Sequence, residues 1–261
     1  MAIELTMSTL HARERLLTWL ALMSLATLAW SYLIMHGMHE PMSMNGNMAV
    51  PSDGSLSLLV TATLMWSVMM VAMMLPSASP MMLTFLRIHQ QRERKAGASA
   101  ATWVFMAGYL AVWLTFAVIA AIIQWALQQS ALLSSSMGHV TPLLGGALLM
   151  TAGAFQFIGL KQACLSKCRS PLSFLMTEWR EGKCGALIMG IRHGAYCTGC
   201  CWALMLLMFV GGVMSLVWMA GLAVYFLAEK LLPKAEKISR ICGALFVVAG
   251  IVILLTQGTS F

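Results

Sequence analysis

The chain has 261 residues, of which 60% are hydrophobic and only 10% charged, whereas a soluble globular domain carries roughly 45–50% apolar and about 25% charged residues. That balance excludes a water-soluble globule and predicts an integral membrane protein. The net charge of +7 is no nucleic-acid signature: the basic residues hug the ends of apolar runs, where topology and anionic headgroups account for them, and no nucleic-acid-binding motif is present.

Apolar stretches near the ~20 residues that cross a bilayer as a helix run, in chain order, over Leu16 to Met35, Leu56 to Leu86, Ala101 to Leu127, Thr141 to Leu160, Gly194 to Gly212, Val213 to Ala228 and Ile241 to Thr256. These predict an all-α transmembrane bundle of six or seven helices, seven being preferred, forming a single domain over residues 1–261. The first apolar core exceeds a signal-peptide h-region and no A-x-A site follows it, so it is read as retained. Continuous apolar runs, not alternating ones, argue against a barrel.

All 16 Lys and Arg fall in four groups: Arg13 and Arg15 before the first helix; Arg87, Arg92, Arg94 and Lys95 after the second; Lys161, Lys167, Arg169, Arg180, Lys183 and Arg192 between the fourth and fifth; Lys230, Lys234, Lys237 and Arg240 between the sixth and seventh. The positive-inside rule places every group, and the N-terminus, in the cytoplasm. The loop 36–55 then lies outside, and the segment 161–193 inside. Within that segment PLSFLMTEWR reads as an interfacial helix opened by Pro171.

The outer loop carries Met35, His36, Met38, His39, Met42, Met44 and Met48. Thioether selects Cu(I) and imidazole also suits Cu(II), so the loop reads as a copper collector; a plain connector is the competing reading. The second helix is 31 residues long, ~46 Å at 1.5 Å per residue, and Pro76 and Pro80 are expected to break or kink it. In its upstream half Met69 and Met73, and Met70 and Met74, are i, i+4 pairs on adjacent faces. Together with Met74, the Met69–Met73 pair forms a candidate passage for Cu(I), against the alternative of methionine as gap-filler.

The densest motif is HGAYCTGCCWALMLLMF. His193, Cys197 and either Cys200 or Cys201 share one helical face, and Met205 and Met208 continue the stripe. Soft thiols beside an imidazole form a metal-site pattern; small cysteines packing as hydrophobes account for one or two of them. If the fifth and sixth helices form a hairpin, Glu229 lies level with Cys197 and His193 and is a further candidate ligand, or else pairs with Lys230 or Arg192. Cys164, Cys168 and Cys184 lie in the inner segment, the first two spaced C-x-x-x-C.

These residues resemble the pattern of a bacterial family of predicted metal-binding integral membrane proteins of uncharacterised function. The resemblance runs from roughly Leu56 to Lys230. It rests on Trp66, Met69, Ala72, Met73, Met74 and Pro76, and then on His193, Gly194, Cys197, Gly199, Cys200, Cys201, Trp202 and Met205, with Phe209, Gly211, Met214, Met219, Glu229 and Lys230 downstream. It implies metal binding without naming the metal.

The expected protein is a multi-pass inner-membrane metal binder, a transporter or metal-binding protein rather than an enzyme. Copper is favoured over zinc, carried inward from Met and His ligands to Cys and His ligands. Its partners would be the bilayer, the metal ion and a metal-donor or client protein. Two alternatives stay open: a thiol-disulfide oxidoreductase using Cys197 and Cys200, and a non-transporting accessory subunit stabilised by its metal.

Overall fold

The computed structural model describes residues 2–39, 54–93, 98–130, 132–133, 140–213 and 215–258. They form α1 (Ala2–His39), α2 (Gly54–Glu93), α3 (Ala98–Gln129), α4 (Pro142–Phe155), α5 (Gly159–Arg169), α6 (Pro171–Glu178), α7 (Gly182–Met205), α8 (Met208–Gly211), α9 (Leu216–Leu231) and α10 (Ala235–Gly258). Among the described residues five helical stretches are long and apolar enough to cross a membrane, and α4 with α5, bent by 66°, makes a sixth if the pair is one span. Val217 is 86% exposed, Leu143 and Leu56 each 71%. Large aliphatic side chains so presented along whole helices fit lipid and not water.

Three expectations change. The stretch Val213 to Ala228 becomes α9, whose 16 residues reach only ~24 Å against a hydrocarbon core of ~30 Å. The stretch Thr141 to Leu160 is interrupted after Phe155, where the buried Gln156 begins the bend. The fifth span begins at Gly182 and not at Gly194. Arg192 hid this, because charge halts an apolar run without halting a helix; in the fold Arg192 pairs with Glu178 at an exposed edge. The expected helix at PLSFLMTEWR is α6, with Pro171 in its first turn.

The expected break in α2 is absent: the helix continues through both prolines. Proline removes the N–H that would bond the carbonyl four residues back, which leaves the Ala72 and Pro76 carbonyls without their usual donors. Trp30 Nε1 of α1 donates to the first at 3.0 Å, and Ser79 Oγ donates to the second at 2.8 Å. This is how side chains and neighbouring helices keep proline tolerable in a membrane helix. Trp30→Phe, which keeps a phenyl ring but deletes the N–H donor with the five-membered ring that bears it, is expected to lower stability by about 1–3 kcal/mol, chiefly the cost of a buried unsatisfied carbonyl; thermal unfolding in detergent measures it.

The core gathers the motif-bearing helices. α2 packs between α1 and α3, α3 packs along α7, α5 lies against α7, and α9 reaches α2, while α4 pairs with α10. The α3–α7 approach depends on glycine. A Cβ at Gly190 would stand 2.0 Å from the Phe105 carbonyl oxygen, and one at Gly108 2.4 Å from that of Leu187. This close seam sets Tyr109 of α3 against Cys197 of α7. Gly212, at φ +90°, makes the turn that sends the chain from α8 into α9, a backbone region open mainly to glycine.

Candidate metal centre

Residues 193, 197, 200 and 201 lie on one continuous helix, so their shared face follows from helical periodicity. His193, Cys197, Cys200 and Cys201 are each no more than 2% exposed. Cys197 is central. Its sulfur lies 3.3 Å from the Tyr109 hydroxyl and accepts from Lys230 Nζ at 3.0 Å. The Cys200 and Cys201 thiols donate to the Cys197 carbonyl at 3.1 and 2.9 Å, the back-bonding open to a short side chain three or four residues further along a helix.

A fourth thiol comes from another element. Cys168, near the end of α5 and 8% exposed, lies beside Cys197 and Cys200. Cys164, one turn earlier, rests against the backbone of Gly199, while Cys184 is exposed. The C-x-x-x-C spacing therefore contributes one thiol to the cluster and one to its packing. All seven cysteines are free thiols.

His193 stacks on Tyr109 with centroids 5.5 Å apart and touches the rings of Phe105 and Phe174. Its Nδ1 is buried with no hydrogen-bond partner among the described residues. An imidazole held in an aromatic cage beside four thiols keeps a donor in reserve.

Helix α9 does not supply the residue expected of it. Glu229 Oε1 accepts from Lys161 Nζ and from the Tyr225 hydroxyl, both at 2.5 Å. Lys161 also donates to Ser239 Oγ at 2.9 Å and to Gln156 Oε1, and Ser239 donates to Gln156 at 2.8 Å. The carboxylate thus belongs to a separate polar cluster joining α4, α5, α9 and α10, and its cationic partner is Lys161, neither Lys230 nor Arg192. Consecutive residues on a helix point about 100° apart. It is Lys230, accordingly, that reaches the thiols, held also by Ser77 Oγ of α2 at 2.7 Å.

Met69, Met73, Met74 and Met205 are all buried to within 1% and share the apolar core with the cysteines. The Met74 carbonyl accepts from Ser77 at 2.9 Å and lies 3.4 Å from the Tyr109 hydroxyl, so the backbone of the methionine-rich helix borders the site. Met42 and Met44 lie outside the described residues, as do the side chains of His36, Met38 and His39 at the end of α1. Among the described residues no three His, Cys, Asp or Glu side chains already form a metal-holding polyhedron. What exists is a set of buried thiols with the Lys230 ammonium against one of them, Cys197.

Lys230, Tyr109 and Ser77 border the thiols although the sequence marks none of them as a metal-site residue, while Cys168 is marked there by its C-x-x-x-C spacing with Cys164. Lys230 reads in the chain as one of the basic residues at helix ends, and no spacing rule links Tyr109 or Ser77 to a cysteine on another helix.

An all-α chain with several apolar helices of membrane-spanning length and buried thiols in its core has the makeup of a helical membrane protein. The family model described as PpoB2, copper chaperone, matches residues 63–253. The chain belongs to that family, and copper handling is its coarse function. The match spans the helices that carry Met69 through Lys230 and leaves the loop 36–55 outside it. Searches of curated proteins and of solved structures found no match.

Proposed function

We propose that the chain is an inner-membrane copper-handling protein that holds Cu(I) on the buried thiols of Cys168, Cys197 and Cys200, with Cys201 and His193 beside them. The observation that carries this is the convergence of Cys168 from α5 on the α7 thiols in an apolar core. One helix bearing C-x-x-C-C can be packing; a thiol brought to it from a different element is an assembled donor set. Two-coordinate thiolate suits Cu(I), the softest of the common biological ions.

In this reading the N-terminus is cytoplasmic, and the loop 36–55 faces outward with His36, Met38, His39, Met42 and Met44 as weak collecting ligands. Met69, Met73 and Met74 of α2 supply neutral thioethers between the two ends, so that an ion moves inward toward tighter ligands. Release to a client protein fits the family's chaperone description. Metal affinity rests on thiol deprotonation, so binding releases protons.

The test is Cu(I) titration of the purified full chain in detergent, under reducing conditions, against a chromophoric Cu(I) chelator. Wild type is expected to bind, and Cys197→Ser and Cys168→Ser each to weaken binding by about a hundredfold or more, the scale of losing one of two principal ligands. Unaltered stoichiometry and affinity in a Cys168, Cys197 and Cys200 triple serine variant would sink the proposal.

A further inference from the structure

We infer that Lys230 sets the charge selectivity of the thiol site, admitting a monovalent soft cation and rejecting a divalent one; this rests on the thiol-site reading and deepens it. Four thiols by themselves are the donor set of a structural zinc site, and nothing in their number favours copper. The fifth group among them is what differs. Lys230 Nζ stands 3.0 Å from Cys197 Sγ.

The ammonium is fixed and not a passing surface charge. It is buried, and Ser77 Oγ of α2 holds it from the other side at 2.7 Å, while Ser77 itself is anchored on the Met74 carbonyl. Among the described residues no carboxylate pairs with it: the neighbouring Glu229 is engaged by Lys161 and Tyr225. Its partners are the Cys197 sulfur and the Ser77 hydroxyl, so a metal ion bound at Cys197 meets a positive charge already in place.

An ion bonded to Cys197 sits about 2.3 Å from the sulfur, hence within about 5 Å of an ammonium that is itself 3.0 Å from that sulfur. Repulsion grows in proportion to ionic charge. At that separation, in the intermediate effective dielectric of a protein interior, the second unit of charge on Zn(II) lowers its affinity by about a hundredfold relative to Cu(I) or Ag(I).

The experiment compares wild type, Lys230→Met and Cys197→Ser as purified full chains in detergent, each titrated with Cu(I), Ag(I) and Zn(II) against chelators of known affinity. Lys230→Met keeps the aliphatic stem and deletes the charge. It is expected to relieve both ions, and to tighten Zn(II) binding by about a hundredfold more than Cu(I) or Ag(I) binding, since each unit of ionic charge is relieved alike. A folded Lys230→Met protein with wild-type preference for monovalent over divalent ions would overturn the inference. Lys230→Gln, equally neutral and still able to bond Ser77, gives the same readout if the methionine variant does not fold. Should Cys197→Ser bind Cu(I) like wild type, the thiol-site reading itself falls, whatever Lys230 does.

Discussion

Lys161→Met is expected to destabilise the folded chain by about 3–5 kcal/mol, the cost of stranding a buried charge whose partner has been removed. Lys161 is fully buried and Glu229 is 2% exposed, their charged atoms 2.5 Å apart. With the ammonium gone, Glu229 keeps only the Tyr225 hydroxyl as a donor. Gln156 and Ser239 lose their shared donor in the same step. Adding Glu229→Gln removes the stranded charge and is expected to recover most of the loss, because the penalty lies in the uncompensated carboxylate and not in the missing contact. Unfolding of wild type, both single variants and the double variant in detergent closes the cycle. A double variant no more stable than Lys161→Met would show that packing around the lysine stem, not charge, governs this cluster. The cluster matters to the site because α9 carries Glu229 and Lys230 side by side. The ion pair fixes α9 against α5 and α10, and that same placement holds Lys230 among the sulfurs.

Gly190→Ala is expected to cost about 3 kcal/mol or more, above the usual penalty for overpacking, because the new methyl meets rigid backbone and not a side chain that can turn aside. The atom it would meet is the Phe105 carbonyl oxygen at 2.0 Å. Relief requires α3 and α7 to part, and Tyr109 rides on α3 only one turn beyond Phe105. The substitution is therefore expected to weaken Cu(I) binding as well, although no ligand is altered. Gly221→Ala in α9 is the matched control. Nothing lies within 4 Å of its Cβ, and alanine there should raise stability by up to about 1 kcal/mol through helix propensity alone. Thermal unfolding of the two variants, with Cu(I) titration of each, separates a helix-seam effect from a general intolerance of alanine. Equal stability of Gly190→Ala and wild type would mean that the seam yields easily and does not position Tyr109.

Both predictions concern residues whose importance no local pattern announces. Lys161 looks in the chain like another basic residue following an apolar stretch, and Gly190 like one of 21 glycines. The sequence did carry the all-α class, the long apolar helices and the alignment of His193 and Cys197 with either Cys200 or Cys201, because composition and helical period are local properties and survive whatever the chain packs against. It also carried copper as the favoured metal, since soft donors are chosen by residue type. Tertiary structure alone decided which inner-segment cysteine joins the site, that Cys168 does and Cys184 does not. It decided that Lys230, not Glu229, meets the thiols, and that the prolines of α2 leave no gap because Trp30 and Ser79 fill it. The physical reason is common to all three. Periodicity says which residues share a face of a helix, but the rotation of that helix about its own axis, and the neighbour that face meets, are set by close packing between elements far apart in the chain.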